Sequence, residues 1–235
     1  MMDAGDARRR AASERTPFVL RTSYLVVFEG VEGCGKTTQA RAAADALRAR
    51  GVPVTATREP GGTAIGEQVR ALLLNVHNHA MLPETEALLL FAARAQHVRE
   101  VIEPALGRGE VVVCDRFAGA TYAYQGYGRG LPLDELRRLQ GFAAEALAPD
   151  LTILLDLPAD AGLARRRVAG EVNRLDAADL AFHRRVREGY RALAAADPAT
   201  WVVLDAARPV ADMTRDVLAV LGARLGLPLA PGEDC

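Results

Sequence analysis

The sequence predicts an α/β fold, a parallel five-stranded sheet covered by helices on both faces. Three observations predict it. Short apolar runs alternate along the chain with stretches of helical period, the pattern of strands buried on both faces and joined by crossover helices. The first run leads through the octapeptide Gly30-Val31-Glu32-Gly33-Cys34-Gly35-Lys36-Thr37 straight into a helix-like segment, the order of a strand–glycine loop–helix unit. Finally, 235 residues, half of them hydrophobic and a quarter charged, suit one domain with a full core.

The elements follow in order. Leu25–Glu29 reads as the first strand, and a helix from Thr37 to Arg50 ends at Gly51, a good residue just past a C-terminus. Val52–Thr57 is a second strand. Ile65, Val69, Leu72 and Leu73 recur at helical spacing, and Glu84–Leu106 is a long helical stretch expected to bend near Pro104. Val111–Cys114 is a third, buried strand; Leu133, Leu136, Leu139 and Phe142 mark the apolar side of another helix. Leu151–Leu157 and Trp201–Leu204 complete the strands. Helices are expected at Ala159–Arg167, around Leu180–Leu193, and around Val210–Val220. In such a sheet, ligands sit at the carboxyl ends of the strands, so the segments that follow each strand carry the chemistry.

The octapeptide fits G-x-x-x-x-G-K-[ST]. Its glycines let backbone N–H groups turn toward phosphate oxygens, and the helix that follows adds the positive end of its dipole. Lys36 supplies charge for the outer phosphates, and the Thr37 hydroxyl is a ligand for magnesium. After the second strand, Arg58-Glu59-Pro60-Gly61-Gly62-Thr63 forms a sharp loop; by residue type alone it is equally a phosphate site and a solvated ion pair. After the third strand, Asp115-Arg116-Phe117 places an acid where P-loop enzymes hold magnesium or its waters, with an Arg beside it to bridge phosphates. Thr121–Gly130, rich in hydroxyl, amide and aromatic groups, is either a base-reading segment or a polar loop packed by its own tyrosines. Phe91 and Arg94 share a helix face. The cationic stretch Arg165–Arg167 and Arg174 has the composition of a lid over phosphates, and also of a solvated face. Asp205–Pro209 is a small-residue loop that suits an adenine ring or an ordinary helix start.

Net charge is −1, which supplies no global field toward nucleic acid or membrane, and no apolar run approaches the ~20 residues of a membrane span. Three cysteines without metal-ligand spacing fit a reducing, cytoplasmic compartment. The basic run Arg8–Arg10 lies in a segment without the apolar stretch of a secretory signal. A guanine-reading Asn-Lys-x-Asp tetrapeptide is missing from the sequence.

Together these blocks resemble the thymidylate kinase family of bacterial type, from about Tyr24 to Leu225. The most specific are Phe28–Gly33 into the glycine loop, Thr57–Thr63, Asp115-Arg116-Phe117 and Ala123-Tyr124-Gln125-Gly126. The resemblance implies a P-loop NTPase fold with a helical lid segment, a disordered tail over 1–22, a kinase domain over 23–226 and a frayed tail over 227–235. It implies magnesium-assisted transfer of phosphate from ATP to dTMP in a cytoplasmic homodimer, with no nucleic-acid or membrane partner. By the same resemblance, Gly30 to Thr38, including Val31, Glu32, Gly33, Cys34, Gly35, Lys36 and Thr37, hold ATP, and Thr37 and Asp115 hold magnesium. Glu32, Arg58, Glu59, Arg70 and Arg116 surround the dTMP phosphate and sugar, while Phe91, Arg94, Thr121 and Gln125 meet the base. Lys36, Asp115, Arg116 and a lid arginine near Arg167 form the catalytic set. Two departures stand out. The family's base-stacking aromatic lies four residues before Arg94, where this chain has Leu90, so Phe91 or Leu90 takes that place; and Ala169 stands where the family often has its lid arginine. A kinase for another nucleoside monophosphate and a non-catalytic nucleotide-binding module are the competing readings.

Overall fold

The computed structural model describes residues 23–145, 147–168, 170, 173–175 and 178–229. The tails 1–22 and 230–235, Arg8–Arg10 and Ala169 lie outside the described residues.

Five parallel strands form one sheet in the order β2-β3-β1-β4-β5: β1 (Tyr24–Glu29), β2 (Val54–Arg58), β3 (Val111–Asp115), β4 (Leu151–Asp156) and β5 (Trp201–Asp205). Between them run α1 (Lys36–Ala49), α2 (Ala64–Leu74), α3 (Pro83–His97), α4 (Glu103–Gly107), α5 (Ala118–Thr121), α6 (Leu133–Ala144), α7 (Ala159–Val168) and α8 (Leu180–Ala196), and α9 (Val210–Leu225) follows β5. Alternation within the central strands sorts the core. Val26, Phe28, Val111 and Val113 meet Ala43, Ala44 and Leu47 of α1 and Val217 and Leu221 of α9. Leu25, Val27, Val112 and Cys114 meet Val98, Ile102 and Phe117 on the other face. The edge strands β2 and β5 are only partly buried.

The register sets the site. Phe28 and Arg58 both pair with Asp115, so the ends of β1, β2 and β3 lie in one row and their loops leave from the same sheet edge. The bend expected at Pro104 is a π-helical turn, Val98–Ile102, between α3 and α4. Proline cannot donate to the preceding turn, and the wider turn accommodates it. Thr121–Gly130 is mostly helical rather than a loop, with α5 running into a π-helical segment over Tyr122–Gly128. Phe142, expected on the apolar side of α6, is 87% exposed; Leu136 and Ala143 face inward instead. Within the tail expected to fray from residue 227, Leu227 N donates to Gly222 O and Leu229 is buried in the core.

Candidate active site

The glycine loop wraps the start of α1 against two close neighbours. A Cβ on Gly33 (φ 70°) would lie 2.3 Å from the Gly162 carbonyl oxygen, and one on Gly30 (φ 141°) 2.5 Å from that of Leu155. Both positions therefore require glycine. Val31 and Cys34 are buried. Lys36 is folded back, its Nζ donating to Val31 O at 2.7 Å. Thr37 Oγ1 donates to Asp115 Oδ2 at 2.5 Å. That meeting of a hydroxyl and a carboxylate, oxygen donors only, fits a hard cation such as magnesium. Among the described residues no group of three or more His, Cys, Asp or Glu side chains could hold a metal by itself.

Arg116 is the centre of the cleft. It adopts a left-handed backbone, φ 73°, and its N–H donates to Phe28 O across the sheet edge. Its guanidinium donates to Glu32 Oε1 (3.1 Å), Tyr124 OH (3.1 Å) and Tyr190 OH (3.0 Å), and lies 4.8 Å from the Tyr124 ring centroid. Glu32 also accepts from Tyr124 OH at 2.5 Å, with His183 Nδ1 3.6 Å away. Burial would raise the Glu32 carboxyl, but His183, the charges of Arg116 and Lys36 and the Tyr124 hydroxyl together hold it well below its ordinary value of 4.5. Beneath lies Glu29, fully buried, accepting from Phe117 N, Ala120 N and Tyr190 OH at 2.8–2.9 Å. Burial raises its pKa, although the nearby Arg116 opposes the shift. Neither Glu29 nor Tyr190 was assigned a role from sequence. An acid closing an otherwise apolar strand was the available signal for Glu29; Tyr190 arrives from far along the chain.

Arg58, Arg70 and Arg116 line one end of the cleft. Arg58 pairs with Glu67, and Arg70 Nη1 donates to Pro60 O at 2.9 Å. Burial, followed by the charge of Arg58, lowers the Arg70 pKa, with Arg116 adding to the effect. Three cations therefore line one cleft close enough to repel one another, two of them paired with glutamates. Glu59 lines the cleft, but its carboxylate is committed elsewhere: Oε2 accepts from Arg94 Nε at 2.7 Å and Oε1 lies 3.0 Å from His97 Nδ1.

Arg94 is only 2% exposed. Four of its five N–H donors are engaged, by Glu59, Gln140 Oε1 (2.8 Å), Phe117 O (3.2 Å) and Thr121 Oγ1 (2.9 Å). Its guanidinium carbon lies 5.3 Å and 5.1 Å from the ring centroids of Phe91 and Phe117. Phe91 therefore supports the arginine and does not line the cleft: α3 packs Ala87 and Phe91 against Leu136 and Ala143 of α6. Glu86, Leu90 and Arg94, at i, i+4 and i+8, face the cleft instead. Thr121 and Gln125 line the same end, and the Gln125 amide nitrogen donates to Glu86 at 2.6 Å.

Arg167 is exposed and outside the cleft, whereas Arg165 and Arg166 line it, as successive helix positions diverge by about 100°. Arg165 Nη1 donates to Ala206 O at 3.1 Å. Arg174 reaches back under the cleft to Leu73 O and Glu86. The cleft measures about 870 Å³. A second cavity of about 520 Å³ shares Gly33, Gly35, Thr38 and Arg165 with it and is walled by Cys34, Ala207, Arg208, Pro209 and Met213. Two cavities thus meet at the glycine loop, one of them lined by the cationic cluster.

The family model for thymidylate kinase matches residues 28–217. The chain belongs to the thymidylate kinase family. The thymidylate kinase of Thermomicrobium roseum is 54% identical over 188 residues, covering 80% of this chain and 89% of that protein. That of Roseiflexus castenholzii is 48% identical over 212 residues, covering 85% and 93%. The crystal structure of thymidylate kinase from Ehrlichia chaffeensis superposes with a TM-score of 0.69 at 32% identity, covering 85% of this chain and 98% of that one. The five-stranded parallel sheet is accordingly the P-loop NTPase arrangement of a thymidylate kinase.

Proposed function

We propose that the protein phosphorylates dTMP to dTDP with ATP as donor, in the cytoplasm. The observation that carries this reading is the pair of cavities meeting at Gly33, Gly35 and Thr38, one beside the glycine loop and the β5 loop, the other lined by Arg58, Arg70 and Arg116. A nucleotide-binding module needs the first; only a transferase needs a second anion site facing it. Family membership selects dTMP as the acceptor.

ATP lies with its base between Arg208 and Met213 and its phosphates on the loop N–H groups. Lys36 exchanges Val31 O for phosphate oxygen, and Thr37 and Asp115 would hold a magnesium ion, which draws charge from the phosphates when bound. Arg58 and Arg70 hold the acceptor phosphate, and Arg116, kept between Glu32, Tyr124 and Tyr190, faces the transferring group together with Arg165 and Arg166. Chemistry of this kind is mostly positioning and charge stabilisation. Leu90 gives the base an apolar floor, and the remaining Nη1 hydrogen of Arg94 meets a base carbonyl. Leu88 on α3 and Phe142 on α6, helices that pack on each other, are 55% and 87% exposed and support a homodimer.

The test is turnover with dTMP, dUMP, dCMP, GMP and AMP as competing acceptors, with light scattering for the dimer. dTMP is expected to show the highest kcat/KM. No turnover of dTMP beside clear turnover of another monophosphate would refute the assignment.

A further inference from the structure

Gln125 is 1% exposed and lines the cleft, yet its carbonyl oxygen has no partner among the described residues. Its nitrogen is committed, donating to Glu86 Oε1 at 2.6 Å. An ionised carboxylate only accepts hydrogen bonds, so the amide has one permitted orientation beside it, with nitrogen toward Glu86 and oxygen away. Glu86 is itself held by donors. Arg129 donates to both of its oxygens (3.4 and 3.2 Å), and Arg174 Nη2 donates to Oε2 at 2.6 Å. Burial would raise the Glu86 carboxyl, but the Gln125 bond and the Arg129 charge outweigh it and lower the pKa, so the group stays ionised at neutral pH.

We propose that Glu86 is a positioning residue for base selectivity: by fixing the Gln125 amide it presents a buried, unpartnered acceptor to the cleft, which takes the ring N–H of thymine and rejects cytosine. This rests on the assignment of the cleft to a dTMP acceptor. Thymine carries N3–H and a 4-carbonyl; cytosine carries a bare N3 and a 4-amino group. Arg94 offers a donor and Gln125 an acceptor, so the site matches the first pattern at two places and opposes the second at both. Without Glu86 the amide is free to turn over and offer N–H to cytosine N3.

Glu86→Gln tests this. A glutamine at 86 both donates and accepts, so either orientation of Gln125 becomes allowed. The ratio of kcat/KM for dTMP over dCMP is expected to fall about 10- to 100-fold, from leaving or not leaving one buried polar group unpaired. Arg174→Ala serves as the comparison, since it removes a Glu86 partner in the lid segment but leaves the Gln125 bond, and its ratio is expected to stay within about twofold of the parent. Equal losses for dTMP and dCMP in Glu86→Gln, or the same ratio change in Arg174→Ala, would overturn the proposal. If Glu86→Gln does not fold, the side-chain amide protons of Gln125 in ¹⁵N-labelled parent protein decide. One of the two is expected to exchange slowly with water, with and without dTMP, because it is donated to Glu86; rapid exchange of both overturns the proposal. Failure of the parent protein to use dTMP is read before any variant and refutes the acceptor assignment instead.

Discussion

Replacing Arg94 with methionine removes a charge from a buried site that holds four hydrogen bonds. The methionine stem fills much the same space between Phe91 and Phe117, so the loss is chiefly electrostatic and hydrogen-bonding. Glu59, 5% exposed, loses its closest cation, and Gln140, Phe117 O and Thr121 each lose a donor. Breaking a buried ion pair from one side costs about 3–5 kcal/mol, because the remaining charge stays buried. For a domain of this size each kcal/mol moves Tm by about 2–4 °C, giving a drop of about 6–20 °C. Urea unfolding followed by circular dichroism, with thermal scans alongside, measures it. Arg58→Met is the control: Arg58 also pairs with a glutamate but its side chain is 53% exposed, and a loss of about 1 kcal/mol or less is expected. The double variant Arg94→Met, Glu59→Gln should recover part of the loss, because the uncompensated charge is gone. If Arg94→Met costs no more than Arg58→Met, or if the double variant is the sum of its parts, the buried pair is not what holds α3 to the β2 loop.

Arg116→Ala should lower kcat for dTMP by about 10³-fold or more while leaving ATP binding within a small factor, since an arginine facing the transferring phosphate is worth that much in related enzymes; stopped or steady-state kinetics and ATP titration separate the two effects. Gly33→Ala places a methyl group 2.3 Å from the Gly162 oxygen in a left-handed backbone, so ATP affinity should fall sharply with a stability loss of about 1–3 kcal/mol, read by calorimetric titration and unfolding. Glu29 has a folded pKa raised above 4.5 by burial. The folded state therefore binds its proton more tightly than the unfolded chain, and its contribution is fully present below the unfolded value and is lost as pH rises through the folded one. Glu29→Gln retains the shape without the charge, so its stability relative to the parent should improve as pH rises through the folded value; urea midpoints that shift the opposite way would contradict the reading.

The glycine loop, the five strands and the order of the phosphate-facing blocks were legible in the sequence because each is local. Backbone conformation at Gly33, the apolar run of β1 and the position of Asp115 at the end of β3 depend on a few neighbouring residues and on the period of the pattern. Phe91 shows where that legibility ends. Three and four residues before Arg94 both lie on its side of a helix, and the choice between Phe91 and Leu90 was made by α6, whose Leu136 and Ala143 take up the aromatic ring. Arg167 likewise matched a composition, but the rotation of α7 turned Arg165 and Arg166 to the cleft.

By itself the sequence determined the class of chemistry: a cradle for phosphates at Gly30–Thr37, and further cations at the other strand ends. The tertiary structure decided which side chains are spent on one another. Glu59 turned out to be Arg94's counter-charge, Tyr190 and Glu32 hold Arg116, and Glu86 orients Gln125. Those partners come from separate elements, up to 84 positions apart for Glu32 and Arg116. The physical reason is burial: a charge removed from water must find its partner in three dimensions, and neither spacing nor residue type along the chain names that partner.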